Sequence, residues 1–520
     1  MFFLHGAQPV PAVNEAHYLG KTIHFWNPDW GARDFFLNSD DTHLVFYGGF
    51  GWLSLWLSPL ALAWVGRLAT WWLLAWAWRR LNAAVLVRPW WSVATAAVML
   101  WLVDHCAMAG EWIVGGAEAK GFAYVLVLLG LEAMTRERWN RVWLCLGGAS
   151  MIHVLVGGWA AVAAGLAWLL SGRDHRPTLR SMWPGLVGGF LLSLPSLVPS
   201  VLLTWQVDPR IVDQANQIQV FQRLKHHLNP ADFRIHLVIQ FAVLVVLWLA
   251  VRRRTPHNHP VWRIHGFVAG AVFISLTGFV LAQLTVDRPD WAGALLRFYW
   301  FRLADLAVPF GVALGAPAVV ELARFTRPVV SRAVVFGLVL LAGWQLGSDV
   351  VDQTARHNLL GLREPGVCRS NDWRDACRWI ADSDTIPKDA IFLTPWMRRS
   401  FKWYTAHAEV VTSKDVPQDP QSIVEWWHRL CEVRGTGDVR VEPWCESLAE
   451  QGESRLLELG RSYGAEYVLT ATQPPLDLPI EYVNTSFVVY RLVEPPAPPS
   501  LREPTEPRDY SKPSDNEENP

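Results

Sequence analysis

The chain is 520 residues long, 51% hydrophobic and only 18% charged, with 31 tryptophans and a formal net charge of −1 at pH 7. Apolar runs of the roughly 20 residues needed to cross a bilayer recur between positions 44 and 347, which excludes a wholly soluble protein. No basic stripe interleaved with aromatics accompanies the near-zero charge, so the sequence offers a nucleic acid nothing to bind.

The opening "MFFLHGAQPVPAV" has no basic stretch and is too short to span, so no cleavable signal is expected there. Residues 14–43, "NEAHYLGKTIHFWNPDWGARDFFLNSDDTH", read as a polar, aromatic first loop. Spans are predicted at 44–66, 90–105, 119–134, 183–203, 236–251, 264–284, 302–322 and 331–347. The segment 67–88 carries Arg79 and Arg80, which would be costly at mid-bilayer, and is expected to be an interfacial helix. The stretch 142–170 is too long for one ordinary span and contains "HVLVGGW"; a broken pair of short helices fits it better.

Arginine is dense at 79–80, 136–141, 173–180, 252–263 and 324–332, which predicts cytoplasmic connections there. The loops 1–43, 106–118, 205–235 and 285–301 are richer in Asp, Glu and Trp and are expected to face outward, as is the carboxy-terminal part. The domain reading is therefore a first outer loop over 1–43, a transmembrane bundle over 44–347 and a soluble α/β domain over 348–496. A Pro-rich, charged and disordered tail is expected over 497–520. Within the soluble part, "DWRDACRWIADSD" and "DPQSIVEWWHRLCEV" read as helices, and "DAIFLTP", "AEVVTSK", "AEYVLTA" and "SFVVYRLV" as strands. Cys368, Cys377, Cys431 and Cys445 permit one or two disulfides there, with the connectivity open. The fold class is mainly α, a polytopic helix bundle with a small carboxy-terminal α/β domain.

If the outer loops share one side, they bring together carboxylates suited to base or metal work and cations suited to a phosphate. The candidates are Asp34 in the first loop, Glu118 and Lys120 in the second, Arg223, Lys225, His226 and His227 in the third, and Arg297 and Arg302 in the fourth. Each has a plainer reading. Asp34 could pair with Arg33, Glu118 and Lys120 could pair or cap a helix, and the arginines could snorkel to headgroups. Adjacent histidines point apart on a helix, so His226 and His227 alone do not make a metal site. A divalent metal held by Asp or Glu is one way to neutralise a departing phosphate; arginine and lysine are the other.

The stretches "HYLGK", "FWNP", "DFFL", "GGAEAKGFAY", "HVLVGGW" and "FYWFRLADL" resemble an uncharacterised bacterial family of polytopic, GT-C-like membrane proteins, over most of the chain. The resemblance implies a GT-C bundle in a bacterial inner membrane, with the carboxy-terminal domain extracytoplasmic. It puts Asp34 in the place of the first-loop acid, as base or metal ligand. It also implies a span ahead of that loop, of which this sequence carries only "FFLHGA". The implied activity is transfer of a sugar from a polyprenyl-phosphate donor in the bilayer to an extracytoplasmic acceptor. The rival expectation is a non-enzymatic transporter or envelope-assembly scaffold on the same fold.

Overall fold

The computed structural model describes residues 1–172, 176–323, 328–355, 370–435 and 447–492. The amino end forms two helices, α1 (Phe2–Gly6) and α2 (Glu15–Trp26), and then runs through turns to residue 43. Next come α3 (Leu44–Gly51) and a 3-10 turn, Trp52–Leu55. A new helix, α4 (Pro59–Val85), starts at Ser58, whose hydroxyl accepts from the Ala61 N–H at 3.3 Å; Pro59 at its first position gives up no bond.

This start overturns the expected span at 44–66 and the interfacial helix at 67–88. The segment before Ser58 is too short to cross, and α4 runs unbroken for 27 residues through both regions. The paired arginines are tolerated because they sit near its far end. Arg79 is exposed, and Arg80 bonds Glu132 at 3.1 Å and stacks on Trp76.

After α5 (Trp91–Cys106) and α6 (Ala119–Thr135) the chain forms α7 (Trp139–Ile152) and α8 (Val154–Leu170), separated by a single extended residue, His153. The backbone of Ser150 leaves no room for a Cβ on Gly157, so the pair turns back sharply on itself. Helix α9 (Leu179–Leu202) packs on α7, with Gly147 and Gly189 backbone to backbone. Then follow α10 (Pro209–Gln217), a π-helical turn at Ile218–Arg223, and α11 (Lys225–Leu228). The bundle finishes with α12 (Ile235–Arg254), α13 (Val261–Leu284), α14 (Pro289–Leu296), α15 (Arg302–Ala323) and α16 (Pro328–Ala355).

Among the described residues six helices, α4, α9, α12, α13, α15 and α16, are long and apolar enough to cross a bilayer, and the chain is a multi-pass membrane protein. Helix α15 is the central one, 89% of its apolar window being buried inside the protein, whereas α9 and α16 bury 17% each.

The carboxy-terminal domain holds α17 (Ser370–Asp382), β1 (Ile391–Leu393), α18 (Phe401–Thr405), β2 (Ala408–Glu409), α19 (Pro420–Arg434), α20 (Glu453–Tyr463), β3 (Tyr467–Ala471), β4 (Ile480–Val483) and β5 (Phe487–Arg491). Its sheet runs β2-β1-β3-β5-β4, parallel about β1 and antiparallel about β5. Alternation puts Val468, Val488 and Tyr490 against Trp426 and Leu456 on one face, and Tyr467, Leu469 and Val489 in a second core with Trp373 on the other. The tail at 497–520, Cys368 and Cys445 lie outside the described residues.

This domain is seated on the first and third loops. Gly31 donates its N–H to the Ala406 carbonyl at 3.0 Å, and the Thr42 hydroxyl bonds Gln418 at 2.6 Å. Ala215 and Ile218 complete the apolar cluster around Trp426.

Candidate functional site

The site is organised by the first turn of α15. Asp305 is fully buried there and accepts N–H bonds from Met108 at 3.0 Å, Ala109 at 2.9 Å and Glu111 at 3.4 Å. These bonds fix the second loop over the start of α15. They bring Glu111 between two cations: Lys120, 2.9 Å from one of its oxygens, and Arg302, 3.3 Å from the other. The Lys120 ammonium lies 3.2 Å from the centre of the Trp112 ring, and the Arg302 guanidinium lies 4.1 Å from that of Tyr299.

Glu118, next to α6, is 4% exposed. Its Oε2 lies 3.7 Å from the Lys120 ammonium and has no hydrogen-bond partner. Burial raises its carboxyl above the usual range, against the pull of Lys120. It is a buried acid with one oxygen open and Glu111 and Glu15 nearby, and burial makes such a carboxylate a stronger base.

The third loop adds further positive charge. His227 Nδ1 is 2.5 Å from the Ala109 carbonyl, and its ring stands 3.9 Å from that of His226. Gly110 has a φ of +68° and faces the His227 ring, so no side chain fits there without strain. Arg223 donates to the Ser413 carbonyl at 2.9 Å and thereby meets Lys414 of the carboxy-terminal domain. Burial, then Arg223, Arg399 and Lys120, lower Lys414 to about 7, with Glu118 opposing. Burial, then Arg223, Lys414 and Arg302, lower His226 to about 4. Lys120 and Arg302 share the Glu111 carboxylate, while Arg223 and Lys120 both repel Lys414, and a cationic wall of this kind suits an anion.

The first loop reaches the same region through other residues. His43 Nδ1 contacts Asp41 at 3.0 Å and Gln418 at 2.8 Å, and its ring stands 5.4 Å from Tyr18 and 5.1 Å from His153 at the helix break. Asp34 has a holding geometry instead. It is 0% exposed; Oδ1 accepts from the Leu37 N–H at 2.9 Å, and Oδ2 accepts from the Glu409 N–H at 3.1 Å and meets Lys402 at 3.2 Å. Lys402 also binds Glu409 at 3.0 Å and Asp415 at 2.7 Å. The two assemblies are neighbours, because Lys414 faces one and Asp415 the other.

Of the residues singled out from sequence, Glu118, Lys120 and Arg302 come together directly, and Arg223, His226 and His227 border them. Lys225 is half exposed and pairs with Asp232 at 3.4 Å, and Arg297 bonds Asn216 at 2.7 Å and stacks on Phe298. Glu111, Asp305 and Lys414 join the site without being among the candidates the sequence offers. Glu111 and Asp305 carry the loop-charge signal of their neighbours, but Lys414 lies in a different domain and carries no signal at all. Among the described residues, no group of three or more His, Cys, Asp or Glu side chains is placed to hold a metal ion.

Residues 371–433 match the model of a domain of unknown function (DUF6798). No curated protein matches the chain. Among solved structures, the chain is similar to the apo form of the oligosaccharyltransferase of Archaeoglobus fulgidus, with a TM-score of 0.33 and 12% identity, over 90% of this chain and 66% of that one. The chain thus spans a little under two thirds of that protein's length.

Proposed function

We propose that the protein is a membrane glycosyltransferase of GT-C type that moves a sugar from a polyprenyl-phosphate donor to an acceptor hydroxyl. The observation that carries the reading is the open, buried Glu118 oxygen 3.7 Å from Lys120, with Arg302 held nearby by Glu111. In this reaction Glu118 takes the proton of the acceptor hydroxyl. The hydroxyl oxygen forms a bond to the anomeric carbon while the bond from that carbon to the phosphate oxygen breaks, inverting the centre. Lys120 and Arg302, positioned by Glu111, receive the charge that develops on the departing phosphate, and Arg223 and Lys414 extend the cationic surface. Asp34 is a positioning residue that holds the first loop to the carboxy-terminal domain. In this reading the site lies on the extracytoplasmic face, where the arginine pattern leads one to expect all four outer loops.

The test uses purified full chain in nanodiscs with a panel of polyprenyl-phosphate monosaccharides, reading release of polyprenyl phosphate. Glu118→Gln is expected to lower turnover by about 10²- to 10⁴-fold while donor binding is kept. Arg302→Gln is expected to weaken donor binding itself. Wild-type turnover in Glu118→Gln, combined with loss in folded Asp34→Asn, would return the base to Asp34. Donor binding without any turnover in the wild type would favour the scaffold reading.

A further inference from the structure

A groove of about 600 Å³ runs between the first loop, the outer end of α9 and the start of α19. Its rim is apolar: Phe25 and Leu44 on one side, Leu202 and Trp205 on the other. Leu202 and Trp205 are exposed and continue the apolar face of α9 that carries Phe190, Leu191 and Val198. The groove therefore opens along a membrane-crossing helix rather than into bulk water.

Its floor is polar and built. Lys21 is 5% exposed and spends two of its three ammonium hydrogens on Ser39, one on the carbonyl and one on the hydroxyl at 3.0 Å. Asp41 is fully engaged by His43 and Tyr47. Asp419 is 7% exposed; one oxygen caps α19 through the Ser422 N–H at 2.8 Å, and the other, Oδ2, is buried with no partner. Asp40, exposed, adds a third carboxylate to the same wall. The Lys21 ammonium, which also stands 4.8 Å over the Phe36 ring, thus shares the groove with three carboxylates, and the buried Oδ2 of Asp419 lacks a donor.

We infer that this groove binds a membrane lipid with a phosphoethanolamine headgroup, its phosphate on Lys21 and its ammonium on Asp419. A choline head has no N–H to give Asp419, and a glycerol-phosphate head brings net negative charge against three carboxylates. The acyl chains leave over Leu202 and Trp205 into the bilayer. The inference stands independently of the transferase reading, since it uses none of the residues assigned to transfer.

Native mass spectrometry of the full chain, released from mixed micelles of phosphatidylethanolamine, phosphatidylcholine and phosphatidylglycerol, tests it. The wild type is expected to retain phosphatidylethanolamine about tenfold over the other two, the scale of one charge-assisted hydrogen bond. Asp419→Asn keeps the capping oxygen but replaces the open one with a donor, and is expected to remove that preference. Lys21→Gln is expected to weaken retention in a second, independent way. Equal retention of the three lipids, unchanged preference in Asp419→Asn, or displacement by a glycolipid with no amine would overturn the assignment.

Discussion

At the scale of single residues, the strongest constraint on the first loop is an ion pair rather than a catalytic group. Arg67 and Glu15 are both 0% exposed and meet in two bonds, 2.6 and 2.5 Å. Further bonds hold the pair: Arg67 donates to the carbonyls of Gln8 and Pro9, and Glu15 accepts from the N–H groups of Ala12 and Ala117. Removing one member strands the other charge. Glu15→Gln is therefore expected to cost about 3–5 kcal/mol, read as a lower unfolding midpoint of the full chain in detergent. A change under about 1 kcal/mol would show that the pair is solvated in practice. Glu15 was legible as one acid among several in the first loop. Its partner was not, because Arg67 sat in a segment read as interfacial, where an arginine needs no partner. The same blindness applies to Asp34: a lone acid in a sequence looks available, and only the fold reveals that Lys402 has taken it.

At the scale of elements, the sequence was most informative where local chemistry decides the outcome. The "HVLVGGW" stretch predicted a broken helix pair, and the chain does break at His153. The division of residues 44–88 went wrong because hydropathy does not see a start signal; the Ser58–Pro59 cap places it. Small residues then set how closely the helices around the break can pack. Gly147 of α7 meets Gly189 of α9 with no space for a side chain, whereas Gly158 of α8 has nothing within 4 Å of a Cβ position. Gly147→Ala should push α7 and α9 apart and destabilise the bundle by about 1–3 kcal/mol. Gly158→Ala should be neutral, or stabilising by up to about 1 kcal/mol, through helix propensity. Thermal unfolding of the two variants side by side separates packing from propensity, and equal effects would sink the packing argument.

At the scale of the whole molecule, the first loop and the carboxy-terminal domain are one assembly joined at Lys402. The outline of two domains was legible from the change of composition after residue 347, but the seam was not, because its members lie hundreds of positions apart. Three carboxylates share one ammonium here, and the balance is uneven. Lys402, with His17 3.6 Å away, overcomes burial and holds Asp415 down at about 2, while burial pushes Glu409 up to about 7 against the pull of Lys402. The signs then follow from linkage. Asp415, depressed from its ordinary 3.8, contributes stability that is present above that value and is lost as pH falls toward 2. Glu409, raised from 4.5, binds its proton more tightly when folded; its contribution is full below 4.5 and is lost as pH rises through 7. Lys402, raised well above its ordinary 10.5, holds its contribution throughout this range. The seam should therefore weaken between about pH 5 and pH 7.5, by an amount on the order of 3 kcal/mol if Glu409 acts alone. Glu409→Gln keeps an acceptor for Lys402, replaces the oxygen that accepts from the Thr394 hydroxyl by an amide, and no longer titrates. Other buried groups such as His226 titrate in the same range, so the reading is the difference: across that interval the unfolding midpoint of the full wild-type chain should fall relative to that of Glu409→Gln. An undiminished slope in the variant would move the titration to another group and remove Glu409 as the source of the seam's pH dependence.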